Sequence, residues 1–398
     1  MTKNAVYIQS GGPTAVINAS AYGVISACMQ NKDKIGKLYS ALHGTVGLLS
    51  GKLIDVYAED PAELKLLTQT PSSAFGSCRY RMQDADVDDT DYRCVVENFA
   101  RHDVGYLFYN GGNGTLRACH KLQQYMEAQG YDCKVIAIPK TVDNDIAGID
   151  HAPGFPSAAR HAAISISELA HDIRVYDTGL ITVIEVMGRN TGWLAASTLL
   201  CAKAGNGPDL IYTPELQFRP EKFIADVRDV YERKGKCMAV VAEGVKDEHD
   251  KYLFEYNLHS PDQPSLNMGG ITPYLTHILL QNFSCKVRGI DLGLMQRCGM
   301  HTASKLDVEE ATRLGEMAVR EALNGVTGKL VTLERVSSRP YVVRESTLDI
   351  AQAAKTDGTM PTSYITKEQN YIEDSFLEYI EPLVGELPSY ARLQLKVV

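Results

Sequence analysis

No apolar run in the 398-residue sequence approaches the roughly 18 residues that span a bilayer, so no membrane partner is expected. The opening residues, M-T-K-N-A-V-Y-I-Q-S-G-G, enter a strand pattern directly, with no signal-type apolar region, and a cytoplasmic location is expected. The nine cysteines include no C-x-x-C pair. An odd, scattered set argues against a disulfide frame or a zinc site and for reduced thiols. The sequence also lacks a basic stripe, and its net charge of −9 argues against a nucleic-acid partner. Small anionic substrates are not excluded, but a site for them must be assembled locally from arginines, lysines and backbone N–H groups. Internal repeats and low-complexity segments are absent too.

What is present is an alternation of strands and helices. The length exceeds one simple core, so two α/β lobes are expected, and the alternation predicts parallel sheets covered on both faces. Strand patterns at Ala5–Gln9, Lys37–Leu42, Gly105–Asn110, Val135–Ile138, Leu180–Val186, Asp209–Thr213, Cys237–Ala242, Val287–Leu292 and Lys329–Val336 are separated by helical ones. The clearest helices cover Ala15–Met29, Asp88–His102, His161–Asp172, Pro220–Lys234, Pro273–Phe283 and Val308–Asn324. Gly44–Leu49 reads as a loop, Ser72–Tyr80 as a surface loop ending in an arginine, and Lys246–Gly269 as a polar loop. Glu373–Ile380 reads as a helix in an otherwise hard-to-place C-terminal stretch.

The chemistry concentrates after the strands. Val135–Ile146, V-I-A-I-P-K-T-V-D-N-D-I, follows a buried strand with a cation, a hydroxyl and two carboxylates on one short turn. That set suits phosphoryl transfer to a hydroxyl, although Asp and Asn are also ordinary turn residues. Ser10-Gly11-Gly12 and Gly111-Gly112-Asn113-Gly114-Thr115 are strand-to-helix turns of a kind that admits a phosphate, and Met187-Gly188-Arg189 opens a third. In parallel sheets ligands sit beyond the C-terminal strand ends, so these turns can converge.

Together with Gln296-Arg297, these motifs resemble the phosphofructokinase family in order and spacing over roughly residues 4 to 335. P-K-T-V-D-N-D is closest to the family's pyrophosphate-dependent branch. The resemblance implies two Rossmann-like three-layer lobes with mainly parallel sheets and the active site in the cleft between them. Its division is approximate and leaves the chain free to cross between lobes: residues 1–150 as the donor-phosphate lobe with the catalytic turn, 151–335 as the sugar-phosphate lobe, and 336–398 as an extension packing back on both. The implied activity is phosphoryl transfer from pyrophosphate to the 1-hydroxyl of fructose 6-phosphate, giving fructose 1,6-bisphosphate.

Asp143 is implied as the base, Lys140 as the cation on the transferring group, and Thr141 as a positioning hydroxyl. Asp145, with Asn113, is implied to hold Mg²⁺, a hard cation that prefers oxygen. Gly12, Arg79, Asn113 and Gly114 are implied on the donor. Met187, Gly188, Arg189, Glu243 and Gln296 are implied on the acceptor, with Arg189 also aiding catalysis. Arg288 and Arg297 are implied on the 6-phosphate, which guanidinium binds in bidentate fashion. In the family the counterpart of Arg288 comes from a neighbouring subunit, which implies a homodimer or homotetramer.

The sequence departs from the family pattern at three places. Asn113 stands where a metal-associated carboxylate is usual, leaving more of that task to Asp145. Gly114 stands where strict pyrophosphate users carry Asp, so Lys140 points to pyrophosphate while Gly114 leaves room for ATP; the rest of the chain favours pyrophosphate. Leu180 and Leu294 replace two usual 6-phosphate contacts, with Arg174 and Lys286 as candidate substitutes, and a related sugar or sugar phosphate is the alternative acceptor. A kinase of the NAD or diacylglycerol type shares only the G-G-N-G-T loop. A non-catalytic paralogue is opposed by retention of Lys140, Asp143 and Asp145.

Overall fold

The computed structural model describes residues 2–203, 205–257, 270–391 and 393. The chain forms two compact units, one of Met1–Ala158 with Arg297–Thr359 and one of Ala159–Gln296 with Met360–Val398.

The first unit is built on a seven-stranded sheet. Its spatial order is Tyr341–Asp349, Lys329–Ser338, Lys134–Pro139, Val104–Gly111, Lys3–Gln9, Ile35–Ala41 and Leu53–Asp55. The five inner strands are parallel, and the two outermost pair antiparallel with their neighbours. Side chains alternate between the faces, as the pleat requires. Ala5, Tyr7 and Phe108 pack with helices Ile17–Gln30 and Lys305–Leu323, and Val6, Ile8, Leu107 and Tyr109 with helices Thr90–Arg101 and Asn113–Ala128. Two glycines let the first helix pair touch: a Cβ at Gly23 would lie 2.0 Å from the Thr312 carbonyl oxygen, and one at Gly315 2.2 Å from that of Ser20. Successive strands depart to opposite sides of the Lys3–Gln9 and Val104–Gly111 pair, which makes it the switch in strand order.

The second unit holds a four-stranded parallel sheet in the order Leu210–Tyr212, Lys236–Ala242, Leu180–Val186 and Lys286–Asp291. Leu180–Val186 is buried at every residue, as a strand covered on both faces must be. Helix Pro220–Lys234 starts on proline and stops at Gly235, which adopts φ 67°, the left-handed cap a glycine accepts readily. Trp193 packs against Phe376 and Tyr379 of helix Phe376–Val384.

Several expectations are corrected. The spans 151–335 and 336–398 do not form separate bodies. Arg297–Thr359 returns to the first unit, where helix Lys305–Leu323 covers the sheet and two strands extend it, and residues from Met360 onward join the second. The sheets are mainly parallel, as expected, with Leu53–Asp55 and Tyr341–Asp349 pairing antiparallel at the two edges of the first. Thr45–Leu49 is a short helix, not a loop. Ser72–Tyr80 carries no regular element, yet Phe75 within it is buried and Ala74 N donates to Asn18 Oδ1 at 2.9 Å. Of the expected loop 246–269, residues 258–269 lie outside the described residues, and Leu253–Asn257 forms a 3₁₀ turn. Among the described residues no helix is long and apolar enough to cross a membrane.

Candidate active site

Three strand-end turns of the first unit lie side by side at the switch in strand order. Ser10 N donates to Asn110 O at 3.0 Å and Lys140 N to Gly111 O at 3.0 Å. The Ser72–Tyr80 segment docks on the first turn, with Gly11 N donating to Cys78 O at 3.0 Å and Ser77 Oγ to Gly11 O at 2.6 Å. That docking delivers Arg79. A Cβ at Gly12 would lie 3.6 Å from Arg297 Nη1 and 3.8 Å from Arg79 Nη2, and one at Gly11 3.5 Å from Lys140 Nζ. Lys140, Arg79 and Arg297 therefore surround the Gly11–Gly12 turn, a local cationic site in an acidic chain.

Lys140 is 3% exposed and its ammonium donates to the Gly12 carbonyl. Burial pushes its pKa down to about 8; Asp143 and Asp145 oppose the shift, and Arg79 and Arg297 add to it. The next residues form a tight hydrogen-bonded turn. Asp143 N donates to Thr141 Oγ1 at 3.0 Å, and Asn144, at φ 54°, accepts from Ala152 N at 2.9 Å through its side-chain oxygen. Thr141 N donates to Pro153 O at 3.1 Å. Asp143 is half-buried on this turn.

Asp145 O receives Asn113 Nδ2 at 2.8 Å and Gly358 N at 2.7 Å. Burial raises the pKa of the Asp145 carboxyl and the charge of Asp357 adds to this, while hydrogen bonds from Thr141 and Asn113 oppose it. Asn113 is 7% exposed, and its Oδ1 has no hydrogen-bond partner among the described residues. An orphaned amide oxygen next to a carboxylate held above its usual range is a donor set that suits a hard divalent cation. Gly114, in the first turn of helix Asn113–Ala128, has nothing within 4 Å of a Cβ built on it.

In the second unit, Met187 N donates to Gln296 Oε1 at 3.0 Å, with Gln296 itself 2% exposed. Gly188 adopts φ +142°, and a Cβ there would lie 2.5 Å from the Thr191 carbonyl oxygen, so only glycine fits this turn. Gly244 N donates to Gly188 O at 3.0 Å and Glu243 N to Val186 O at 2.9 Å, which sets the half-buried Glu243 beside the Met187–Arg189 turn; Arg189 is exposed.

Arg288 is not with that turn. It pairs in register with Thr182, four residues before the end of Leu180–Val186, and its Nη1 lies 2.9 Å from Asp172 Oδ2. With Lys286, Leu180 and Tyr176 it lines a pocket of about 200 Å³. Leu180 is buried and Leu294 is 61% exposed. Arg174 is occupied by Asn206 Oδ1 at 2.7 Å and Gly205 O at 2.9 Å, so Lys286 is the cation that shares the Arg288 pocket. The Arg297 guanidinium lies beside Gly12, with Arg79 and Lys140 close to the same turn of the first unit.

Two residues escaped the sequence reading. Asp357 reaches Asp145 because residues 356–358 pair back on the Lys140–Asp145 turn through an isolated bridge between Ile146 and Asp357; only a T-D-G turn marks it. Glu215 Oε1 accepts from Gly192 N at 2.7 Å and steadies the turn that begins at Met187, with no motif around it.

Residues 4–322 match the Phosphofructokinase family, and the chain belongs to it. It is 38% identical to a pyrophosphate–fructose 6-phosphate 1-phosphotransferase of Halomonas elongata, over 98% of this chain and 96% of that protein. The crystal structure of a pyrophosphate-dependent phosphofructokinase from Nitrosospira multiformis superposes with a TM-score of 0.88 at 36% identity, over 99% of this chain and 95% of that one. A sulfofructose kinase of Alkalicoccus urumqiensis is 32% identical over 92% of each chain.

Proposed function

We propose that the protein moves a phosphoryl group from pyrophosphate to the 1-hydroxyl of fructose 6-phosphate. The observation that carries this reading is the ring of Lys140, Arg79 and Arg297 around the Gly11–Gly12 turn, next to a turn bearing Asp143 and Asp145. Transfer of this kind passes through a loose, charge-rich transition state, so positioning and electrostatics supply most of the catalysis. The sugar oxygen forms the new bond to phosphorus as the bridging oxygen of the donor leaves with its electron pair as phosphate. Asp143 takes the hydroxyl proton, and Lys140 balances charge on the transferring group and on the leaving phosphate. Thr141 orients the acceptor hydroxyl.

Asp145 and Asn113 Oδ1 would hold Mg²⁺, which when bound supplies positive charge to the donor phosphates. The orphaned Asn113 oxygen supports that assignment. Met187, Gly188, Arg189, Glu243 and Gln296 are assigned to the sugar phosphate. Arg288 is assigned to the 6-phosphate in a homodimer or homotetramer, a reading supported by its distance in register from the Met187–Arg189 turn. The nine free cysteines support a reducing, cytoplasmic setting.

A second reading keeps the chemistry and changes the acceptor. Leu180 and Leu294 supply no charge to a 6-phosphate, and one relative is named a sulfofructose kinase, so a fructose with another anionic group at carbon 6 is the alternative. A matrix of pyrophosphate and ATP against fructose 6-phosphate and its 6-sulfonate analogue separates these readings. The highest kcat/KM is expected for pyrophosphate with fructose 6-phosphate. A clear preference for the sulfonate moves the assignment to the second reading, and no transfer from either donor overturns both.

A further inference from the structure

Behind the catalytic turn, the first unit buries a group of charges that the proposed chemistry does not use. His151 is 5% exposed and lies between two carboxylates, with Nδ1 2.7 Å from Asp150 Oδ2 and Nε2 2.7 Å from Glu310 Oε2. Each carboxylate is held from a second side. Arg335 Nη2 donates to Asp150 Oδ2 at 2.9 Å, and the Tyr341 hydroxyl donates to Glu310 Oε1 at 2.8 Å. Glu310 comes from helix Lys305–Leu323, Arg335 from strand Lys329–Ser338 and Tyr341 from strand Tyr341–Asp349. These elements enter the first unit only through the late segment of the chain.

We propose that His151 is a positioning residue for phosphoryl transfer, anchoring the segment that follows it as the template on which the Thr141–Asp145 turn is set. The template contacts are direct. Ala152 N donates to Asn144 Oδ1 at 2.9 Å, Pro153 O accepts from Thr141 N at 3.1 Å, and Thr141 and Gly154 form a parallel bridge. The far end of the segment is pinned as well, with Gly154 N donating to Asp307 Oδ1 at 3.0 Å and Ser157 N to Asp307 Oδ2 at 3.0 Å. Residues 150–154 are thus stretched between two anchors on helix Lys305–Leu323, Glu310 through His151 and Asp307 directly. Thr141 and Asn144, which flank the base Asp143, hang on the part between them.

The chemistry calls for an imidazolium at this position. Two carboxylates on opposite sides need two N–H donors, and a neutral imidazole has one. A buried carboxylate left without its donor is costly, so the network is satisfied only as a whole. Protonated, the group balances: His151 and Arg335 against Asp150 and Glu310. Asp307 and the Tyr341 hydroxyl are the other titratable groups facing this network, and Asp307 itself feels the charge of His151. Burial alone would push the imidazole pKa down, but the hydrogen bonds and charges of Asp150 and Glu310 outweigh it and raise it to about 9.

This inference rests on the proposed transfer reaction with Asp143 as base, and its test separates the two. His151→Gln in the full chain removes the cation and one donor without touching any group assigned to substrate. The expected result is a kcat about 30- to 100-fold lower, the size of effect a misplaced reacting group produces, with KM for donor and acceptor within about threefold of wild type. A purely structural role would lower the folded fraction and leave kcat per folded molecule unchanged. A kcat within about twofold of wild type, or a loss carried entirely by KM, overturns the proposal. If the glutamine variant does not fold, Tyr341→Phe keeps the ring and releases one side of Glu310; a kcat about three- to tenfold lower at constant KM is expected, and an unchanged kcat overturns the proposal. If Asp143→Ala retains activity, the reading of the reaction falls and the inference with it. If Asp143→Ala is inactive while His151→Gln is normal, only the positioning role falls.

Discussion

The Lys140 ammonium donates to the main-chain carbonyl of Gly12, across the switch in strand order and against the turn proposed to hold the donor. Its burial leaves it with a pKa near 8, so the free protein loses this cation as pH rises through that value. The sign for activity follows: kcat/KM for the donor is flat below about pH 7 and falls about tenfold per unit above pH 8. For stability the sign is the reverse, because a depressed lysine pKa makes a cost of burial that disappears between pH 8 and the lysine's ordinary value of 10.5. Lys140→Met is expected to lower kcat by about 10²- to 10³-fold and to abolish the alkaline limb. Survival of that limb in the variant would assign it to another group.

Asp143 carries the proposed base, and its main chain is fixed by Thr141 Oγ1. Replacing it with alanine leaves that backbone hydrogen bond in place, so the turn should keep its shape. Turnover is expected to fall by about 10²- to 10⁴-fold with donor and acceptor affinity retained, measured by initial rates and by calorimetric titration. Near-normal kcat would remove Asp143 from the role.

Gly114 faces open space and sits in the first turn of helix Asn113–Ala128. Gly114→Asp meets no atom within 4 Å of its Cβ, replaces a poor helix former and adds an acid at the positive end of the helix dipole. The variant should fold with equal or higher Tm. Its added charge should suppress any ATP-supported rate far more than the pyrophosphate-supported rate. Equal loss with both donors would show that position 114 does not discriminate between them.

How much of this was legible in the sequence depends on the range of the interaction. The Leu180–Val186 strand and the Pro220–Lys234 helix stand where an apolar run and a Pro-to-Gly frame put them, because local chemistry decides both. Lys140 to Asp145 was legible as a turn rich in chemistry for the same reason. Tyr341–Asp349 was not: it lies at the sheet edge, half-exposed along most of its length, and shows no clean alternation. The return of Lys305–Leu323 to the first unit depends on Gly23 and Gly315 meeting across most of the chain, which no periodicity encodes. Asp357, Glu310 and Arg335 reach their places through that same long-range return. Arg297 was legible as an anion-binding residue, but only coordinates could set its guanidinium beside Gly12.

The His151 network makes one further prediction, on stability instead of rate. Its folded-state pKa of about 9 lies above the ordinary imidazole value of 6.5. A histidine raised in this way stabilises the fold fully below pH 6.5, and that contribution is lost as pH rises through 9. Lys140 works in the opposite direction over part of the same range, so the total Tm does not isolate either group. The difference between wild type and His151→Gln does, because Lys140 is common to both. That difference should be largest at pH 6, shrink between pH 7 and 9, and approach a constant above pH 10, followed by thermal unfolding in matched buffers. A difference that stays constant from pH 6 to 10 would mean that folding does not raise the His151 pKa, and that the network does not hold an imidazolium.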